Sequence, residues 1–233
     1  MRLALIGYGA MGKLVESLAD AAGDEIGLKV NSRDSGLDAS QLAASLQGHD
    51  VAIDFSVAPA VLRNIEACAL AGVPLVEGAT GWLEKLTEAR RLIEENEGAL
   101  VYGANFSIGV NIFYRIVSQA ASLMASLDQY QSFIEEQHHS RKRDAPSGTA
   151  LKLQELMSEY IKTEIPISSV RAGHIPGTHK VGFDSAADQI MLTHMARSRE
   201  GFAAGALLAA RWINGRKGVY EFSEVLDEVI SDK

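Results

Sequence analysis

Residues 1–13, MRLALIGYGAMGK, set the architecture for much of what comes after them. Arg2 to Ile6 reads as a short buried strand, and Gly7-Tyr8-Gly9-Ala10-Met11-Gly12 then opens a helix expected to run to about Ala22. In a strand-to-helix turn of this spacing the first glycine makes the turn and the second lets the backbone approach a pyrophosphate. The third allows close packing of helix on strand. Free N–H groups at the helix start then meet the phosphate charge. Glycine-rich turns also arise for purely steric reasons, so the motif draws its weight from its context.

That context is a succession of βα units. "IGLKV" is a second strand ending at Asn31, "DVAIDFS" (50–56) a third, with a helix from about Pro59 to Ala71 behind it. "VPLVEGAT", the amphipathic "WLEKLTEARRLIEENEG" and "ALVYGANF" add strand, helix and strand. Alternation at this spacing indicates a parallel sheet of Rossmann type, an α/β fold. The second strand should end in an acid that holds the ribose 2′-OH of NAD. Here it ends in Asn31-Ser32-Arg33. An amide does not repel a 2′-phosphate and Arg33 can pair with one, so NADPH is permitted beside NADH; a solvated turn is the plain alternative for Arg33.

After Phe106 the pattern changes. A helix over about 109–126 leads to "YQSFIEEQ", which alternates like a half-exposed strand. A helix over about 149–161 and the runs "SSVRAG", "HKVGFDS" and "DQIMLTHMAR" follow; strands this close together predict a mixed or antiparallel sheet with one open face. "FAAGALLAARWING" and "SEVLDEVI" return to helix. The expected organisation is a dinucleotide-binding domain, 1–105 plus 202–233, and an inserted α+β substrate and oligomerisation domain, 106–201.

Bulk properties narrow the partners. The 233-residue chain carries a formal net charge of −8, which argues against nucleic acid and anionic membranes, so an anionic ligand must be met by a local cation cluster. One cysteine, Cys68, excludes an internal disulfide and fits a reducing cytoplasm. No apolar run is long enough to span a bilayer, and the glycines that interrupt the N-terminal apolar stretch argue against a secretion signal. No metal site is expected.

The densest cluster of cations and proton carriers is "EEQHHSRKRDAPSGTALK", 135–152. His138 and His139 end a strand, so their side chains point to opposite faces. A histidine delivers a proton near neutral pH. Ser147 is a natural N-cap, and Ser147-Gly148-Thr149 at a helix start makes an anion receptor. Each element taken singly reads as a solvated loop or a cap; together, downstream of a dinucleotide motif, they describe a site for a small anionic substrate.

The segment "EEQHHSRKRDAPSGTA" resembles the signature of the dihydrodipicolinate reductase family: an acid, two histidines, a lysine four after the first, then Asp-Ala-Pro-Ser-Gly-Thr-Ala. "IDFS" (53–56), "EGATGW" (77–82), "ANFSIGVN" (104–111), "RAGHIPGTH" and "THMARSREGFAAGA" are similar to its other segments in order, so the resemblance spans nearly the whole chain. It implies NAD(P)H-dependent reduction of 4-hydroxy-tetrahydrodipicolinate to tetrahydrodipicolinate in lysine and diaminopimelate synthesis, by a cytoplasmic homotetramer. It implies His138 as proton donor, Lys142 as its catalytic partner, and His139, Ser147, Gly148 and Thr149 as substrate contacts. Gly78, Ala79 and Thr80, with Gly103, Ala104, Asn105 and Phe106, become cofactor contacts beside Gly7 to Gly12 and Asn31 to Arg33. Closure between the domains is expected to complete the site. This chain departs from the family at Asn31, where an acid is usual, and at Arg143, where an apolar residue is. Two rivals are a different oxidoreductase on this plan and a non-catalytic dinucleotide sensor; neither needs the Lys142–Thr149 constellation.

Overall fold

The computed structural model describes residues 1–231; the expected first domain runs on to Asp232 and Lys233, which lie outside the described residues. The chain divides into two compact units, one of residues 1–108 and 200 onward, the other of 109–199.

The first unit contains β1 (Arg2–Ile6), α1 (Ala10–Ala21), β2 (Glu25–Val30), α2 (Ala39–Leu46), β3 (Val51–Asp54), α3 (Val61–Ala71), β4 (Leu75–Glu77), α4 (Leu86–Glu95) and β5 (Ala99–Tyr102). The chain leaves through α5 (Ile108–Met124), traverses the second unit as β6 (Gln131–His138), α6 (Gly148–Ser158), β7 (Ile167–Arg171), β8 (Thr178–Asp184) and β9 (Gln189–Met195), and returns as α7 (Glu200–Ile213), β10 (Gly218–Glu221) and α8 (Phe222–Ser231).

The first unit is a six-stranded sheet in the order β10-β5-β4-β3-β1-β2, parallel throughout. β3, β4 and β5 are buried at every position, as strands covered on both faces must be. Leu42, Ile65 and Ile93, from α2, α3 and α4, fill one core; Val15, Leu207 and Leu226, from α1, α7 and α8, fill another. The Rossmann-type reading of the sequence is borne out.

Two elements escaped the sequence pattern. α2 begins at a capping box, with Asp38 accepting from the Gln41 N–H and Gln41 answering to the Asp38 N–H; that signal is local and was passed over. β10, which lies between the two runs read as helices, is only four residues long, and its identity depends on its pairing with β5. The helix expected from Pro59 starts as a 3₁₀ turn over Ala58–Ala60 and becomes α-helical at Val61.

The second unit is a mixed sheet in the order β7-β6-β8-β9, β6 and β7 parallel and the other pairs antiparallel. One face packs Ile134, Val181 and Phe183 against Phe113 and Val117 of α5 and Leu153 and Met157 of α6. β6 alternates, with Ser132, Ile134, Glu136 and His138 buried and the residues between them less so. The polar pair therefore continues the row that starts with Ile134 in the apolar core.

Candidate active site

The fingerprint turn leaves the carboxyl end of β1, between β2 and β3, where the strand order reverses. Ligands of open α/β sheets bind at such a reversal. A cavity of about 350 Å³ opens there, lined among others by Gly7, Tyr8, Gly9, Asn31, Ser32 and Arg63. Gly7 has φ +81°, and a Cβ on it would lie 2.5 Å from the Ser56 nitrogen. Gly9, the N-cap of α1, has no side-chain cap, and a Cβ there would meet nothing within 4 Å. The backbone at the helix start is thus open to an incoming group, the opening a pyrophosphate requires. Ala10 and Met11 begin α1, and buried Gly12 packs its first turn. Tyr8 is held by a hydrogen bond to Glu16, with Lys29 4.8 Å above its ring.

At the end of β2, the Asn31 side-chain oxygen accepts from the Arg33 N–H at 3.0 Å, and the Asn31 N–H donates to Asp34 at 2.8 Å. That amide oxygen therefore serves the turn. Arg33 is exposed on that turn. Arg63, which the sequence reading did not single out, lines the cavity while donating to the carbonyls of Ser35 and Leu37 at 3.0 and 3.2 Å. Gly78, Ala79 and Thr80 follow β4, and Gly103 to Phe106 follow β5, so both segments leave the same edge of the sheet as the fingerprint. Neither segment lines this cavity. The Phe106 side chain is core, packed between Phe55 and Phe222.

In the second unit the conspicuous centre is Glu136, fully buried on β6. One carboxylate oxygen is hydrogen-bonded to Nδ1 of His138. The other accepts from Arg171 Nη2 at 2.6 Å and from the Ser147 N–H at 3.3 Å. Arg171 also donates to the Asp144 carbonyl at 2.7 Å, so the acid and the arginine together pin the loop that carries Lys142. Burial pushes the Glu136 carboxyl up, but hydrogen bonds from Arg171, Ser169 and His138 outweigh it and hold the group at about 2. His138 is 8% exposed. Its own burial lowers its affinity for a proton against the pull of Glu136, and the charges of Lys142 and Arg171 lower it further.

With Nδ1 committed to a carboxylate, Nε2 is the nitrogen left to act on a substrate. Gly177 leaves room there: a Cβ on it would sit 3.1 Å from that atom. His179, opposite Glu136 on β8, places Nε2 3.0 Å from the Ser147 hydroxyl. Burial and then the nearby His138 depress its pKa to about 4, so it is neutral.

The expected residues divide clearly. His138, Lys142 and Ser147 belong to this network or to the loop it pins. Lys142 is half-buried and pairs with exposed Asp144 at 2.8 Å, whereas Arg141 and Arg143 are exposed. Ser147 caps α6, accepting from the Ala150 N–H at 3.3 Å. Exposed Gly148 and half-buried Thr149 begin the helix, and a Cβ on Gly148 would meet nothing within 4 Å. His139 lies on the other face of the strand end, and no partner reaches its buried Nδ1 among the described residues. Glu136, Arg171 and His179 were not singled out from the sequence. The spacing of Glu136 and His138, two apart on a strand, was the available signal. Glu136, His138 and His179 bring ligand atoms within 4.8 Å of one another, a His₂Glu donor set. Arg171 places a cation 2.6 Å from that carboxylate, which favours a hydrogen-bond network over a metal site.

Fold and sites together define a class: Rossmann-type oxidoreductases with a separate α+β unit. The family models for dihydrodipicolinate reductase match this chain over residues 1–106 (N-terminus) and 109–226 (C-terminus). The 4-hydroxy-tetrahydrodipicolinate reductase of Christiangramia forsetii is 36% identical over 244 residues, covering 100% of both chains. That of Archaeoglobus fulgidus is 37% identical over 262 residues, covering 97% of this chain and 100% of the relative. Among solved structures, a dipicolinate-bound dihydrodipicolinate reductase from Paenisporosarcina sp. TG-14 superposes with TM-score 0.75 at 22% identity, covering 95% of this chain and 97% of that one. The chain belongs to the dihydrodipicolinate reductase family.

Proposed function

We propose that the protein reduces 4-hydroxy-tetrahydrodipicolinate to tetrahydrodipicolinate in lysine and diaminopimelate synthesis, with hydride from NADPH or NADH and a proton from His138. The observation that carries this reading is buried His138, held through Nδ1 by Glu136, on the same network as the N-terminus of α6. Bound at the β1–α1 turn, the dinucleotide supplies the hydride. Charge left on a conjugated ring by hydride addition must be quenched by a positioned acid, and His138 Nε2 has that role. Lys142 exchanges Asp144 for a substrate carboxylate, an exchange that costs little because an exposed ion pair is worth about 0–1 kcal/mol. The N–H groups of Gly148 and Thr149, the Thr149 hydroxyl and His139 receive the other end of the dicarboxylate. His179 stays neutral and holds Ser147 at the helix start.

The exposed apolar side chains of Val170, Met191 and Met195 on β7 and β9, on the sheet face opposite α5 and α6, support assembly through this sheet, into the homotetramer expected from the family. Among the described residues, no helix is long and apolar enough to cross a membrane, in keeping with a cytoplasmic enzyme.

Two variants test the ligand assignments. Thr149→Val should raise the substrate KM while NADPH affinity, followed by fluorescence, stays near wild type; a loss of cofactor affinity at unchanged KM would move this helix start to the wrong ligand. Arg33→Ala should weaken NADPH more than NADH. Equal effects on the two KM values would take Arg33 away from the 2′-phosphate and turn attention to Arg63.

A further inference from the structure

Asp54 and Glu77 are both fully buried, and no step of the reaction uses them. They end the adjacent parallel strands β3 and β4 and are paired in register, so their side chains lie on the same face. Each carboxyl holds the backbone two residues beyond it: Asp54 accepts from the Ser56 N–H at 2.6 Å, and Glu77 from the Ala79 N–H at 2.7 Å. The second oxygen of Asp54 accepts from the Asn64 amide, also at 2.6 Å. Asn64 is in turn held by Arg63, through Nη2 at 2.8 Å, the same arginine that braces the Ser35 and Leu37 carbonyls. Asp54 thus receives an N–H on each oxygen, as an ionised acceptor does. Glu77 differs. No hydrogen-bond partner reaches its buried Oε2 among the described residues. Two carboxylates side by side in the core repel each other, so one of the pair keeps a proton, and the oxygen that accepts from no donor is the place for it.

We propose that Asp54 and Glu77 share one proton, held on Glu77, and that this pair is a positioning device for the dinucleotide: it fixes the turns at Ser56 and Ala79 that edge the cofactor site. Ser56 lines the cavity beside Gly7, and Ala79 lies in a segment assigned to the cofactor. The inference therefore rests on the cofactor reading above. Burial and then the charge of Asp54 push Glu77 well above the ordinary carboxylate range, while burial also raises Asp54 against the hydrogen bonds from Ser56 and Asn64. The other groups facing the pair come from α3: buried Cys68, whose thiol is itself pushed up, and Arg63 behind Asn64.

The sign follows from the raised value. The turns are held while Glu77 is protonated, and the hold is lost as pH rises through its folded-state ionisation, when two carboxylates would face each other in the core. NADPH titrations followed by fluorescence, from mildly acidic to alkaline pH, test this. Wild-type affinity should fall by roughly tenfold per pH unit beyond that ionisation, because apparent affinity scales with the competent fraction. Glu77→Gln keeps both an acceptor for Ala79 and a donor for Asp54, and its affinity should stay flat over the same range. Cys68→Ala should retain the wild-type fall, since the other ionisable group is then absent. Asp54→Asn, which presents an NH₂ where Asn64 already donates, should bind weakly at every pH. Thermal melts report whether each variant is folded before it is titrated. The same alkaline fall in Glu77→Gln as in wild type would overturn the proposal and leave the cofactor reading standing. Failure of wild type to bind either NADPH or NADH at any pH would overturn both.

Discussion

Glu136→Ala should destabilise the second unit by about 3–5 kcal/mol, because removing one partner of a buried ion pair leaves the other charge uncompensated. Arg171 would keep its guanidinium among buried groups with only the Val170 and Asp144 carbonyls to accept from it. Thermal or urea unfolding reads the loss, and an effect below about 1 kcal/mol would mean that Glu136 acts as an ordinary surface carboxylate. The milder Glu136→Gln separates structure from chemistry. It keeps an acceptor for Arg171 but removes the charge that favours protonated His138. Activity requires that proton, so in wild type kcat/KM should fall as pH rises through an inflection below the ordinary imidazole value of about 6.5, since burial lowers His138. In Glu136→Gln the inflection should lie lower still. For stability the direction is opposite. Glu136 is held at about 2 when folded, so its contribution is complete above the ordinary carboxylate range and is lost as pH falls through that value.

His138→Gln and Lys142→Ala should each lower kcat by roughly 10²-fold or more, the scale of a lost positioned proton donor. Lys142→Ala should also raise the substrate KM, because the cation that meets a carboxylate is gone. His139→Gln should act mainly on binding. Every one of these variants should retain near-wild-type NADPH affinity, since the fingerprint turn belongs to the first unit. Arg141→Ala and Arg143→Ala are internal controls, as both side chains are exposed. Small, similar effects from Arg141, Lys142 and Arg143 would reduce the loop to a solvated basic surface.

The parts of this account that were legible in the sequence are those whose signals are local. The glycine turn, the βα alternation and the cap at Ser147 each lie within a few residues, and each was found. The network around Glu136 depends on strand pairing. Arg171 reaches Glu136 from the parallel neighbour β7, and His179 stands opposite it on the antiparallel neighbour β8. No spacing along the chain reveals that register. The neighbouring histidines drew attention to 138 and 139, which point apart, and away from 136 and 138, which share a face. Asp54 and Glu77 were hidden in the same way, each an acid ending an apolar run. Arg63, which nothing in the sequence pattern marked, lines the cavity because α3 begins beside the carboxyl ends of the strands.

The central claim is that this chain reduces 4-hydroxy-tetrahydrodipicolinate with a proton from His138. Nicotinamide absorbance at neutral pH, with NADPH and freshly generated 4-hydroxy-tetrahydrodipicolinate, addresses it most directly. The account predicts oxidation of one NADPH per substrate consumed by wild type, and a rate about a hundredfold lower in His138→Gln at saturating substrate and cofactor. No substrate-dependent loss of absorbance in wild type with either NADPH or NADH, or an undiminished rate in His138→Gln, would contradict it.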